Sequence, residues 1–349
     1  MGSVDLQGSR TAGGAGRRTG RTTIHDVARA AEVSIATASK ALSGQGRMAL
    51  ETRARVKQAA QDLNFRPNAI ARALLKQRSF TVGLLTNDTY GRFTLPVMAG
   101  ISEALVDRGV SVFLCSVERD PAIGQSHVEA MLEKQVDGII VSGKRLDSRL
   151  PVDLSEVDVP VVYAYSEGPD GAIGFVSDDR QGARAAVEHL VALGRRRIAH
   201  VTGPRDFAVV GQRAEGHAEA LAAAGLAPSD PLIGDWSEAW GYEAAARLLA
   251  DPSRVPDAVF CGNDQIARGM IDGFTRRGLA VPGDVAVIGF DNWEIFAAAS
   301  RPPLTTVDMN LKDLGRHAGL TLLDLVEGRS VAPGIRALPC RLVVRASCG

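Results

Sequence analysis

Beyond residue 80, short apolar runs alternate with longer stretches in which apolar residues recur at helical spacing. The short runs, rich in valine and isoleucine, predict buried strands, and the longer stretches predict amphipathic helices. The predicted strands cover residues 80–86, 110–117, 136–142, 159–165, 197–203, 257–261 and 285–290. The predicted helices cover residues 95–108, 125–134, 181–193, 211–224, 241–249, 264–277 and 311–327. This alternation predicts parallel sheets covered by helices, and about 270 residues are better divided between two such units than built into one.

The pattern before residue 80 predicts helices alone. Thr23 and Asp26 have the spacing of a capping box, so a first short helix is expected directly after Thr23. Ser34 can cap a second helix over 35–42, and a third helix is expected over about 51–63. Three short helices with a tight turn between the first two predict a helix-turn-helix, whose second helix enters the major groove of DNA.

Two segments beside these helices lack the pattern of a packed domain. Residues 1–22, rich in glycine and arginine, are predicted to form a disordered basic arm. After Pro67, a helix of about seven residues is expected within a linker over 68–79, and a helix that short is not stable alone in water. These boundaries divide the chain into the arm (1–22), a helix-turn-helix domain (23–67), a hinge helix and linker (68–79) and a two-sheet body (80–349).

The formal net charge of zero hides a division between the two ends of the chain. Residues 1–78 carry 14 lysines and arginines against 5 aspartates and glutamates, a net charge of +9. The remaining residues carry 26 against 35, a net charge of −9. A basic segment joined to an acidic body is typical of a nucleic-acid-binding head on a body that does not itself bind phosphate, although a solvated basic tail would have the same composition.

Missing motifs argue against several classes of function. No apolar stretch approaches the length of a membrane span, and the first twenty residues lack the apolar core of a secretory signal, so a cytoplasmic protein without a membrane partner is expected. The four cysteines form no C-x-x-C pair, so neither a metal site nor a disulfide framework is indicated. Neither H-E-x-x-H, G-x-S-x-G nor a phosphate loop occurs, and the first predicted strand is not followed by G-x-G-x-x-G. We therefore expect no catalysis and no cofactor.

Ordered motifs along the chain resemble the LacI/GalR family of bacterial repressors. The amino-terminal motifs are TIHDVA at 23–28, VSIATASKAL at 33–42, ETRARV at 51–56 and NFRPN at 64–68. The later motifs are HLVALGRRRI at 189–198, GND at 262–264, IGFD at 288–291 and PPLTTV at 302–307. The resemblance covers residues 23–349 and implies an N-terminal all-α helix-turn-helix head plus an α/β, periplasmic-binding-protein-like body of two parallel-sheet subdomains.

The resemblance implies a sequence-specific DNA-binding transcriptional repressor. Such a protein acts as a homodimer or higher homo-oligomer on palindromic double-stranded operator DNA, and a small effector bound between the two subdomains controls its DNA affinity. A sugar-binding receptor or transport component with the same body fold is the alternative, and an enzyme is a more distant one. The basic head and the missing export signal argue against the receptor.

The residues expected to contact DNA lie on the second helix and in the hinge. By resemblance, Ile35, Ala36 and Lys40 occupy base-reading positions; Lys40 can donate to guanine and the other two can contact a thymine methyl group. The candidate phosphate contacts are Ser34, Thr37 and Ser43. The hinge candidates are Asn68, Ala71 and Leu74, of which Leu74 matches the leucine that two subunits insert into the minor groove to bend the operator. Ala49 stands where the family usually has a Ser or Thr cap for the third helix.

The residues expected to bind the effector follow from strand ends and from the resemblance. Ligands of parallel sheets bind outside the carboxyl ends of strands, where Asn263 and Asp291 should lie, and Arg213 matches the family's ligand-binding arginine. This donor and acceptor set suits a ring of hydroxyl groups, and nearby tryptophans can stack on a sugar, which favours a carbohydrate. Trp240 and Trp293 either line the site or fill a subdomain core. The full candidate set is Asn87, Phe93, Gln181, Arg213, Trp236, Asn263, Asp291, Trp293 and Leu311.

Overall fold

A computed structural model describes residues 22–44, 46–65, 78–117, 120–252 and 255–349. The chain divides into two compact units, residues 1–77 and 78–349. Most of the predicted arm, the predicted hinge helix and the candidate residues Asn68, Ala71 and Leu74 lie outside the described residues. Within the described ranges, no helix is both long and apolar enough to cross a membrane.

The described part of the first unit contains three helices around a small apolar core. They are α1 (Ile24–Ala30), α2 (Ile35–Ser43) and α3 (Leu50–Asp62). Val27, Ala38, Ala41 and Val56 are fully buried where the helices meet, and the small side chains let the helices approach closely. Arg55 Nε donates to the carbonyl of Ala31 at 2.9 Å and so ties α3 to the end of α1. This is the predicted helix-turn-helix arrangement, with helix bounds within one residue of those expected for α2 and α3.

The second unit contains two sheets, each forming the core of one lobe. The first sheet contains β1 (Thr81–Thr86), β2 (Ser111–Ser116), β3 (Gly138–Ser142), β4 (Val161–Ala164), β5 (Ile173–Asp178) and β11 (Gly334–Pro339). The second contains β6 (Ile198–Thr202), β7 (Leu232–Ile233), β8 (Ala258–Cys261), β9 (Ala286–Asp291), β10 (Thr305–Asp308) and β12 (Arg341–Val343). Their orders are β11-β5-β4-β3-β1-β2 and β12-β10-β9-β8-β6-β7. All the pairings are parallel except that of β10 with β12, so the two predicted parallel-sheet subdomains are confirmed.

Helices cover both sheets, and their packing shows to which lobe each later part of the chain belongs. The first lobe carries α4 (Thr94–Leu105), a 3-10 turn at Val106–Arg108, α5 (Pro121–Glu133) and α11 (Leu311–Val326). The second lobe carries α6 (Asp179–Ala192), α7 (Ala208–Ala223), α8 (Glu238–Leu248), α9 (Asp264–Thr275) and α10 (Glu294–Ala297). Late in sequence, α11 packs against α4 of the first lobe through Gly100, where a Cβ atom would lie 1.8 Å from the carbonyl of Lys312.

The chain passes between the lobes three times. It crosses from β5 into α6 at Asp178, from β10 into α11 at Met309 and Asn310, and from β11 into β12 at Cys340. Two of these crossings are tied together, because Cys340 N–H donates to Gln181 Oε1 at 2.9 Å. In each sheet the strand order reverses at the first strand of the lobe, which is β1 in the first lobe and β6 in the second. At such a reversal the carboxyl ends of the strands form a crevice, and open α/β sheets bind their ligands there.

Candidate functional site

The candidate base-reading face of α2 is exposed to solvent. Ile35 is 44% exposed, although an apolar residue of this size is usually buried, and Ala36 and Lys40 are also exposed. Ile35 therefore does not belong to the apolar core of the first unit.

The three hydroxyl groups expected to contact phosphates, at and within α2, already have partners. Ser34 Oγ accepts a hydrogen bond from Thr37 N–H at 3.1 Å, as expected for an N-cap, and lies 2.8 Å from Thr37 Oγ1. Ser43 Oγ donates to the carbonyl of Lys40 at 3.3 Å. By contrast α3 begins at Leu50, and Ala49 supplies no side-chain cap. The first turn of α3 therefore has N–H groups that no cap satisfies.

A cavity of about 250 Å³ lies between the carboxyl ends of the two sheets. Its volume is slightly below the range of about 300 to 1,000 Å³ for small-molecule sites. Five candidate residues line it: Phe93, Arg213, Trp236, Asn263 and Asp291. The other lining residues are Arg92, Lys144, Arg145, Leu146, Asp147, Tyr165, Phe207 and Val209.

Arg213 is the buried centre of the polar wall. Its Nε donates to Asp179 Oδ1 at 2.7 Å, its Nη1 donates to the carbonyl of Gly262, and its Nη2 lies 3.6 Å from Asp291 Oδ1. Burial would lower the pKa of Arg213, but Asp179 and Asp291 hold it above its usual value. The guanidinium is therefore charged and fixed in direction, as a site that recognises one ligand orientation requires.

Asp291 is held at the end of β9 by unusual backbone geometry. Its φ of 98° and the φ of 46° at Asn292 are both positive, a conformation that costs free energy in non-glycine residues and is found at functional sites. Asn292 is fixed by Arg345, whose Nη2 donates to Asn292 Oδ1 at 2.9 Å. Burial raises the pKa of Asp291, while Arg92 and Arg213 oppose that rise.

Two more side chains at the start of α9 complete this corner of the cleft. Asn263 Oδ1 caps the helix by accepting from Ile266 N–H at 2.8 Å, so a ligand would meet its amide nitrogen rather than its oxygen. Asp264 lies just behind and accepts from Trp293 N–H at 2.9 Å. Burial, followed by the charge of Asp291, raises the pKa of Asp264 to about 7.

Several buried polar atoms around the cleft have no protein partner. Among the described residues, Ser142 Oγ and Thr202 Oγ1, at the carboxyl ends of β3 and β6, make no hydrogen bond, and neither do Arg92 Nε and Trp236 Nε1. Trp236 packs edge-on against Phe207 at 5.5 Å. Because a buried polar group without a partner is costly, and Trp236 lines the cavity, the unpaired Nε1 of Trp236 indicates a ligand that carries hydrogen-bonding groups.

Four candidate residues support the cavity but do not line it. Asn87 Oδ1 accepts from the backbone N–H of Lys144 at 3.1 Å, and Gln181 joins two of the crossings between lobes. Trp293 stacks on Phe296 at 5.5 Å and contacts Arg92, while Leu311 is buried in the apolar core. Trp240, whose role was open, is a core residue: its ring is buried and its Nε1 donates to the carbonyl of Thr202 at 3.0 Å.

Sequence reasoning missed the charged side chains that join the two lobes. Arg145 of the first lobe contacts two residues of the second lobe. Its Nη1 lies 3.2 Å from Asp206 Oδ2, and its Cζ lies 3.6 Å from the centre of the Phe207 ring. Arg145 also contacts Asp147 at 3.0 Å. Both residues follow the predicted strand at 136–142, so the rule that ligands lie at strand ends would have drawn attention to them.

Two family models and a sequence relative indicate the same kind of protein. Residues 23–68 match the family model described as bacterial regulatory proteins, lacI family, and residues 187–348 match a periplasmic binding protein-like domain. The HTH-type transcriptional repressor CytR of Escherichia coli K12 is 31% identical over 93% of this chain and 96% of its own length.

Two solved structures cover both units of the chain. The Lac repressor dimer bound to operator and the anti-inducer ONPF has a TM-score of 0.70 at 30% identity, covering 94% of this chain and 99% of that one. The complex of the transcriptional regulator CelR with cellobiose has a TM-score of 0.65 at 30% identity, covering 94% of this chain and 100% of that one. Together with the exposed face of α2 and the cleft between the lobes, these matches show that the chain belongs to the LacI family of bacterial regulatory proteins.

Proposed function

We propose that this protein represses transcription by binding a palindromic operator as a homodimer, and that a carbohydrate bound between its two lobes controls its operator affinity. The observation that carries this proposal is the presence, in one chain, of an exposed α2 face and a cleft whose buried polar atoms lack partners. Two relatives support it: a Lac repressor dimer is bound to operator, and the regulator CelR is in complex with cellobiose.

On the DNA side, α2 supplies both base and phosphate contacts. Ile35, Ala36 and Lys40 face the base edges of the major groove, and Lys40 is the one that can donate to guanine. The hydroxyl groups of Ser34, Thr37 and Ser43 contact phosphates. In doing so they give up or share the local hydrogen bonds that they make in this structure. We assign Asn68, Ala71 and Leu74 to the hinge contact on the sequence resemblance alone, with Leu74 inserted into the minor groove.

On the effector side, the two walls of the cleft supply different groups. Arg213 and the amide of Asn263 donate, Asp291 accepts, and Trp236 and Phe93 offer ring surfaces, a combination that suits a polyhydroxylated ring. The four candidates that do not line the cavity have supporting roles: Asn87 positions the loop at Lys144, Gln181 holds the crossings, Trp293 backs Arg92, and Leu311 anchors α11.

A ligand in the cleft can influence DNA binding because it contacts both lobes. Phe93 belongs to the first lobe, Asn263 and Asp291 to the second, so occupancy favours the lobe arrangement in which these groups reach the same molecule. A ligand changes an equilibrium only through its different affinity for the two states, and the three crossings are the segments about which the lobes turn. We propose that the protein works in the cytoplasm, without a cofactor and without catalysis.

Selection of bound fragments from the source genome tests the DNA half of this proposal. The full chain should enrich a palindromic sequence, and Lys40→Ala should weaken binding by about 1 to 3 kcal/mol and relax the preference at one base of each half-site. Lys57→Ala is the matched control, since it removes an exposed lysine from α3 of the same unit and should leave the base preference unchanged. Recovery of fragments without a shared sequence would contradict the proposal.

A further inference from the structure

Arg92 of the first lobe reaches across the cleft to the second lobe. It precedes α4, its Nη1 donates to Gln265 Oε1 at 2.9 Å, and its Nη2 is paired with Asp291 Oδ2. Both acceptors belong to the second lobe, so this single side chain joins the two lobes at the effector site. The pair is largely shielded from water, since 15% of the Arg92 side chain and 8% of the Asp291 side chain are exposed.

The guanidinium also lies against two aromatic rings. Arg92 Cζ is 5.3 Å from the centre of the Phe93 ring and 5.5 Å from the centre of the Trp293 ring, within the range of a cation–π contact. Arg92 lines the cavity, whereas Trp293, which it contacts, does not. The groups expected to hold a sugar, a carboxylate and aromatic faces, are therefore already in contact with a side chain of the protein.

Of the two arginines at Asp291, Arg92 is the one that a ligand can replace. Arg213 is fixed by Asp179 and by the carbonyl of Gly262, and it keeps these partners when Asp291 binds another group. Among the described residues, Arg92 is hydrogen-bonded only to Gln265 and Asp291, and its buried Nε has no partner there. The Arg92 guanidinium is therefore incompletely satisfied in the position it occupies.

We propose that Arg92 is an internal occupant of the effector site, which the effector displaces from Asp291 and from the Trp293 ring. This inference rests on the proposed function, because it assumes that a carbohydrate binds in this cleft. Hydroxyl groups of the carbohydrate take the place of the guanidinium at Asp291, and the displaced side chain exposes the face of Trp293. Binding thereby breaks one direct contact between the lobes, which connects occupancy of the site to the lobe arrangement.

The proposal makes Arg92 a competitor of the effector rather than one of its ligands. Arg92→Ala should therefore tighten carbohydrate binding about tenfold, measured by calorimetry on the full chain with a panel that contains cellobiose, lactose and ribose. Arg149→Ala is the matched control, because Arg149 forms an exposed pair with Glu167 in the same lobe, and its carbohydrate affinity should not change. Arg92→Lys keeps the charge but loses the forked donor geometry, so its affinity should lie between those of the wild type and Arg92→Ala. Weaker or unchanged binding by both Arg92 variants would overturn the proposal.

A second probe separates this inference from the proposed function. Methylguanidinium chloride at millimolar concentration should raise the melting temperature of Arg92→Ala but not of the wild type or Arg149→Ala, with sodium chloride as the salt control. It should also weaken carbohydrate binding to Arg92→Ala alone. If methylguanidinium stabilises Arg92→Ala while no carbohydrate binds any variant, the internal subsite stands and the carbohydrate proposal fails. If carbohydrate binds and methylguanidinium has no selective effect on Arg92→Ala, the subsite is refuted.

Discussion

The carboxylate of Asp147, in the first lobe, accepts a hydrogen bond at 2.7 Å from the backbone N–H of Ala208, the first residue of α7 in the second lobe. Phe207, the residue before α7, supplies no side-chain cap, so a residue of the opposite lobe caps this helix. Burial would raise the pKa of Asp147, but the hydrogen bonds from Arg145 and from Ala208 lower it below its usual value. Asp147 is therefore ionised at neutral pH and favours the lobe arrangement of this structure.

We expect Asp147→Ala to weaken carbohydrate binding. The observed lobe arrangement loses the cap on α7 and one partner of Arg145, and loss of a helix cap costs about 0.5 to 2 kcal/mol. Isothermal titration should show an affinity lower by roughly a factor of 2 to 30. Asp153→Ala is the control, because the Asp153 carboxylate accepts a hydrogen bond from Ser155 N–H at 2.9 Å, within its own loop. An equal loss of affinity in both variants would contradict a role for the contact between the lobes.

Gly203→Ala should remove carbohydrate binding and leave the fold intact. A Cβ atom at Gly203 would lie 2.2 Å from Cε2 of Trp236, so the indole must move away from the cavity wall.

Gly211→Ala, in α7, is the control. It adds a methyl group that meets no neighbouring side chain within 4 Å, and it should raise stability by about 0.5 to 1 kcal/mol without affecting binding. Fluorescence titration measures binding, and retained affinity in Gly203→Ala would exclude Trp236 from the site.

The stability of the second unit should depend on pH through a buried histidine. Burial, followed by the neighbouring His217, lowers the pKa of His200 to about 3. Unfolded histidine takes up its proton near pH 6.5, so between pH 6.5 and 3 the unfolded state binds more protons and stability falls as the pH falls.

The variant His200→Gln isolates this contribution. The glutamine amide can donate to the carbonyl of Phe260, which His200 Nδ1 contacts at 3.1 Å, but it does not titrate. The free energy of unfolding of the wild type should fall relative to the variant by up to about 1.4 kcal/mol per pH unit below pH 6.5. Urea unfolding at pH 7 and pH 5 measures the difference, with His127→Gln in α5 as the control. A difference that does not change with pH would show that His200 is not a buried neutral group.

Ala49→Ser should stabilise the first turn of α3. A serine hydroxyl at this N-cap position can accept one of the free N–H groups, which stabilises a helix by roughly 1 kcal/mol. Hydrogen exchange of the amides of residues 50–52 in the full chain should slow by about fivefold. Ala49→Val adds bulk without an acceptor and should not slow exchange, so equal protection in both variants would contradict a capping effect.

The alternation of strands and helices was predictable because buried parallel strands are continuously apolar. The strands β7, β11 and β12 were not predicted, since they lie at sheet edges with half-buried or exposed side chains. Gly334–Pro339, for example, alternates between half-buried and exposed positions and pairs with β5 only through a contact distant in sequence. The strands β5 and β10 lie inside the sheets but were missed, since polar residues interrupt their apolar pattern. Such strands are determined by tertiary pairing rather than by local pattern.

The candidate site was predictable where it follows from strand ends. Asn263 and Asp291 meet in the cleft because their strands are neighbours in the second sheet. Arg92 and Arg145 were missed because charged residues in loops usually face solvent, and only the approach of the two lobes gives them partners. For the same reason, sequence alone did not reveal that Trp293 lies behind an arginine.

The central claim is that one chain couples carbohydrate occupancy to operator affinity, and measuring both equilibria on the same protein tests it most directly. The affinity for a selected operator should change at least tenfold when the carbohydrate saturates, and the carbohydrate affinity should change by the same factor when the operator saturates. A carbohydrate that binds in the cleft while the operator affinity stays the same would contradict the account.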